Sequence, residues 1–153
     1  MGISKDQIET AFKEMGLNYV MNEETFVAFT QGRYAPDINT VVTLDEDCAG
    51  LTIMAVLDVH IEEKDRAAVY ELFNYVHGQS LWNVRFHMDE EGRVFSVGKV
   101  QTWGLPFNTV QFGDIYFSLV VAADRFYPCL EAIQLDGADG TAAFEKFFLK
   151  SKG

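Results

Sequence analysis

Residues 38–59 read INTVVTLDEDCAGLTIMAVLDV, and their pattern decides the fold. Two β-rich runs, Ile38–Leu44 and Leu51–Val59, flank the turn-rich segment Asp45–Gly50, as two antiparallel strands flank a hairpin loop. In the second run Leu51, Ile53, Ala55, Leu57 and Val59 alternate with Thr52, Met54, Val56 and Asp58. Apolar residues on both faces predict a central, largely covered strand. Upstream, Thr25–Thr30 and Asn18–Val20 add further strands, bounded by the turn segments Asn22–Glu24 and Gly32–Asp37, so the first half of the chain reads as an antiparallel meander. Before it, Ser4 and Gln7 have capping-box spacing, Ile8, Ala11, Phe12 and Met15 recur at helical spacing, and Gly16 takes the C′ position. This predicts a first helix over Lys5–Met15.

Downstream, Ala68, Leu72, Phe73 and Val76 fall on one stripe, with Glu62, Glu63 and Asp65 in the N-terminal turn and Gly78 as the stop. The prediction is a helix over Glu62–His77. Two strands follow, Asn83–Met88 and Val94–Thr102, joined by Asp89–Gly92 as a hairpin loop. Asn108 and Gln111 repeat the capping spacing, and Val110, Ile115, Leu119 and Ala122 open a helix to Phe126 or beyond, which Pro128 is expected to bend or restart. After a flexible turn at Asp136–Gly140, Phe144, Phe147 and Phe148 make an i, i+3, i+4 patch in a short appended helix, Thr141–Lys150. The order α-β-β-β-(β)-α-β-β-α-α, without repeats or linkers, belongs to one α+β domain. Its antiparallel sheet of five or six strands is covered by the helices starting near Glu62 and Asn108.

Composition narrows the function. The 153 residues hold 13 Phe, 6 Tyr and 2 Trp, enough aromatic area for a packed core without a disulfide or metal staple. A formal net charge of -11 opposes docking on phosphate backbones or anionic lipid, so nucleic acid and membrane are not expected partners. The polar start MGISKDQIE has no secretory apolar core, and the apolar stretch near Ile115–Ala123 is far shorter than the ~18 residues of a span. A reducing cytoplasm is the expected location, with Cys48 and Cys129 as free thiols.

Catalytic patterns are missing from the sequence. Asp45–Gly50 imitates the start of a calcium loop, but Ala49 and Val56 stand where the fifth and twelfth ligands belong. His60, His77 and His87 lack helical or alternate-residue partners, and the two cysteines lack C-x-x-C spacing, so no metal site is expected. Ser80 and Ser96 lie outside any nucleophile-elbow context, and no glycine-rich phosphate loop occurs, so no cofactor is implied.

Three segments together carry a resemblance. Leu72–Val76 leading into Trp82–Val94, and Ala122–Pro128, together with the opening helix ending Met15-Gly16-Leu17 and the strand-to-helix passage from Asp58 to Glu62, resemble the YbjN-like proteins over about residues 4–135, with 136–153 appended. That resemblance implies a type III secretion chaperone-like fold, an antiparallel sheet with helices on one side. It also implies homodimers and a role as chaperone-like proteins or proposed bacterial sensory-transduction regulators without enzymatic activity. The stretch Gln101–Pro106 and the Phe144–Phe148 helix depart from the pattern. The expected function is a non-catalytic protein-binding module with an unknown client. The alternative is an enzyme or small-ligand binder with a pocket between sheet and helices. Phe112, Tyr116 and Phe117 lie beyond the stripe one helix face needs, and with Phe144, Phe147 and Phe148 they are the expected protein interface.

Overall fold

The computed structural model describes residues 2–23, 25–45, 49–78 and 84–145. Cys48, Ser80, the predicted strand start Asn83, the expected interface residues Phe147 and Phe148 and the predicted helix end Lys150 lie outside the described residues. Helix α1 spans Lys5–Glu14, followed by strands β1 (Asn18–Asn22), β2 (Thr25–Thr30), β3 (Ile38–Leu44) and β4 (Gly50–His60). A 3₁₀ turn at Glu63–Asp65 precedes α2 (Arg66–Gly78); then come β5 (Arg85–Met88), β6 (Arg93–Gln101), α3 (Thr109–Asp136) and α4 (Gly140–Ala143). The capping box at the start of α1 is present, with Ser4 and Gln7 bonding reciprocally.

The strands form one antiparallel sheet in the order β1-β2-β3-β4-β6-β5, which makes β4 central as expected. Register lines up a row of small residues on the helix side, Ala28, Thr40, Ala55 and Ser96, all buried. Over that row α3 comes close to the sheet: Tyr116 and Thr40 share a 2.6 Å hydrogen bond, and a Cβ on Gly98 would sit 3.0 Å from a Leu119 methyl. Helix α1 reaches the same side through Phe12, whose ring lies 5.7 Å from Phe26, 5.8 Å from Phe112 and 6.0 Å from Tyr116. At the other end of the sheet Phe73 of α2 stacks on Phe126, and Phe126 on Phe86 with ring centroids 4.1 Å apart.

Helix α3 runs through Pro128 as one element of 28 residues, so the expected restart does not occur. An interior proline costs a helix about 3 kcal/mol, and the burial of Phe126, Cys129, Leu130 and Ile133 on the turns around it outweighs that cost. The same helix carries Asp124, whose carboxylate accepts the backbone N–H groups of Arg33, Tyr34 and Ala35 at 2.8–3.0 Å. This carboxylate clamps the β2–β3 connection to α3, and Gly32 is required there because any Cβ would collide with it. The terminal element packs on α2 of its own chain. Gly140 approaches so closely that a Cβ would lie 2.6 Å from the backbone of Ala68 and Leu72, Thr141 bonds Glu71, and Phe144 stacks on Tyr75 at 5.7 Å.

Candidate protein-binding surface

The four described helices contact one side of the sheet or one another, α1 through the ring of Phe12. Among the described residues no helix packs on the other side, so β4, expected to be central and largely covered, is central but has a helix layer on one face only. Alternation and register place a continuous apolar row across the other side: Val20, Val27, Val41, Met54 and Val97, one residue from each of five neighbouring strands. The next row holds Phe29, then Asn39, then Val56 and Phe95, with His87 stacked on Phe95 at 5.5 Å. Val20 is 54% exposed and Phe29 50%, while Val27, Val41, Met54, Val56, Phe95 and Val97 are half-buried by their neighbours. Contiguous exposed apolar surface of this kind marks an interaction site rather than ordinary surface.

The electrostatics of this face differ from those of the whole chain. Its outward strand positions carry one acid, Asp58, against Arg85, Arg93 and Lys99, in a molecule whose net charge is -11. Two of these bases are neutralised at the rim. Arg93 bonds Asp89 at 2.8 Å and Glu91 at 3.2 Å, and Lys99 lies 3.4 Å from Asp45. The backbone N–H of Arg93, with help from its guanidinium, holds the Asp89 carboxyl below the usual carboxylate range.

Of the side chains expected at an interface, Phe112 and Tyr116 are fully buried and Phe144 is 4% exposed. They do not lie beyond the core stripe of α3, because α1 crosses that helix and fills the sector a single sheet contact would leave open. Burial also raises the Tyr116 phenol above its ordinary pKa, against the opposing hydrogen bond from Thr40. Phe117 is 43% exposed and forms an outer strip of α3 with Val110 and Val121. Phe147 and Phe148 lie outside the described residues. The open-face residues were missed because apolar side chains on both faces of a strand carry one signal, burial, and do not say which molecule covers them.

Small-molecule chemistry finds little support among the described residues. The space between α3 and β6, lined by Val84, Gly98, Asp114, Ile115, Ser118 and Leu119, is about 170 Å³, below the ~300 Å³ of typical ligand pockets. A wider cleft of about 430 Å³ opens beside the bulge of β4, where Asp58, His60, Glu91 and Arg93 meet, but Arg93 is committed to its rim acids. No group of three or more metal-ligating side chains occurs among the described residues. His77 is tied into the fold, its Nε2 accepting the backbone N–H of Phe86 at 2.9 Å, and burial together with Arg85 and His87 lowers its pKa.

No family profile and no curated protein matches the sequence. Solved structures do match. E. coli YbjN, described as a proposed transcription regulator, superposes with a TM-score of 0.60 at 10% identity, over 84% of this chain and 90% of YbjN. The fold is YbjN-like. A chain of the ExsC–ExsE complex superposes with a TM-score of 0.54 at 16% identity, covering 81% of this chain and 93% of its own length. The YbjN-like architecture, a six-stranded antiparallel sheet with helices packed on it, is the type III secretion chaperone-like arrangement that the sequence resemblance implied. No described helix is long and apolar enough to cross a membrane.

Proposed function

We propose that this chain is a non-catalytic, chaperone-like or regulatory protein-binding module of the cytoplasm, working as a homodimer. In this reading it is one domain, with a core over residues 4–135 and an appended segment over 136–153. The observation that carries the proposal is the apolar, acid-poor face of the sheet that no described helix covers. Such a face is stable in water only at the expense of about 25 cal/mol per Å² of exposed apolar surface, which a protein partner recovers. The neighbours support the class: YbjN is described as a regulator, and the ExsC–ExsE structure is a protein complex. The strip of Phe117, Val110 and Val121 is a second, narrower surface on the same molecule.

The test is affinity capture from the source cell with the full chain and with Met54→Lys, which places a charge at the centre of the open face. The expected result is a specific set of proteins held by the wild type and lost by the variant. Equal capture by both moves the site off the open face. Capture of nothing by either, together with turnover of a small molecule, replaces the binding module with the enzyme alternative.

A further inference from the structure

We infer that the outer stripe of α3 seats a basic amphipathic helix of a partner protein, with a Lys or Arg of that helix on Asp114. This stripe is a different surface from the sheet face that carries the reading above. Successive helix residues turn by ~100°, so Val110, Phe117 and Val121 stand on one line over about three turns. Val110 is 72% exposed and Val121 41%, on either side of the half-exposed Phe117 ring. An apolar line along an exposed helix is the seam on which a second helix packs, whereas a strand pairs through backbone groups that the middle of a helix has already used. Gly113 stands beside that line, past the first turn of α3, where glycine is the least favourable residue after proline. Gly32, Gly98 and Gly140 each have an atom at 3.0 Å or less from where a Cβ would sit, but a Cβ on Gly113 would meet no described atom within 4 Å. The packing of this chain does not require the gap, and it lets the backbone of a second helix come close.

Charge decides what the second helix carries. On the opposite flank of the line stand Asp114 and Ser118, and the Asp114 carboxylate makes no ion pair among the described residues. Both residues border the notch of about 170 Å³ between α3 and β6, which Val84, Gly98, Ile115 and Leu119 line with apolar surface. A space of that size is too small for a typical ligand and suits the aliphatic stem of one Lys or Arg, whose charged end then reaches Asp114. The net charge of -11 draws a basic partner toward the chain. A second copy would bring the same net charge and a second Asp114 to the seam, the reverse of what this carboxylate pairs with.

The probe is a synthetic amphipathic helix of Leu and Lys, about four turns long, titrated calorimetrically into the full chain at physiological ionic strength. It is expected to bind, and the same helix with Glu in place of Lys is not. Asp114→Asn and Phe117→Ala are each expected to weaken binding about 10-fold. Met54→Lys, on the sheet face, changes the net charge by the same amount as Asp114→Asn and is expected to leave binding unchanged, which separates the stripe from a general attraction to an acidic protein. Gly113→Ala is expected to raise the melting temperature while weakening binding about 5-fold, a combination that damage to the fold does not produce. Circular dichroism verifies that each variant folds. Absence of binding, equal binding of the Glu helix, a loss on Met54→Lys as large as on Asp114→Asn, or full binding by both Phe117→Ala and Gly113→Ala overturns the assignment. A dimer of the full chain in sedimentation that Phe117→Ala dissociates gives the stripe to a second copy and overturns it as well. The sheet-face reading fails separately, when Met54→Lys retains every captured protein.

Discussion

The two faces of the sheet share one backbone and differ in almost everything else. On the helix side Phe26, Ile53, Leu57 and Phe86 are at most 2% exposed, and α3 lies close over a row of small residues. On the other side Val27, Val41, Met54 and Val97 stand in an equally regular row that no described helix covers. Along β4 the two sets alternate residue by residue, Ile53 and Ala55 inward, Met54 and Val56 outward. Strand periodicity therefore sorts residues between faces, and the placement of the helices alone decides which face becomes the core of this molecule.

The largest expected effect comes from attacking the covered face. Phe126→Ala removes the ring stacked between Phe73 and Phe86 and is expected to cost about 3–5 kcal/mol in chemical denaturation. Phe29→Ala, at a half-exposed ring on the outward face, is expected to shift the same measurement by no more than about 0.5 kcal/mol. Similar losses for both would abolish the contrast between the faces.

Next in size is the clamp that fixes α3 over the covered face. Asp124→Ala leaves the three loop N–H groups of Arg33, Tyr34 and Ala35 without their acceptor, with an expected loss of about 1–3 kcal/mol. Asp124→Asn keeps a carbonyl oxygen for Tyr34 and Ala35 and should recover part of that loss. Amide exchange at these three positions reports the clamp directly.

At the β5 edge the contrast becomes pH-dependent. His77 must be neutral to accept the Phe86 N–H, and its folded pKa lies below the ordinary 6.5. The unfolded chain therefore binds the proton more readily. This contribution is fully present above pH 6.5 and is lost as pH falls through the lower folded value. The melting temperature is expected to drop on acidification in that window, and His77→Gln, whose side-chain oxygen accepts without titrating, is expected to flatten the drop.

The smallest effect tests how dry the covered face is. Ser96 Oγ is buried beneath α3 with no hydrogen-bond partner among the described residues, so Ser96→Ala is expected to be neutral or stabilising by up to about 1 kcal/mol. A loss of more than that would reveal a bridging water.

The sequence by itself determined the elements and their order. Thr25–Thr30 and Ile38–Leu44 are strands over the predicted residues, and the first two helices and the β5–β6 hairpin lie within a few residues of expectation. Those features follow from periodicity, caps and turn residues, which act over one to four residues along the chain. Tertiary structure decided the rest, because it depends on which surfaces meet. Packing carries α3 through Pro128, and α1 crosses over Phe112 and Tyr116 and draws both into the core. The carboxylate of Asp124 finds its partners about ninety residues away in sequence, a distance over which no local pattern operates. The outward face of the sheet belongs to the same class: Met54 and Val56 are as apolar as a covered position requires, and the packing of the described helices on the opposite side alone decides that none of them covers these residues.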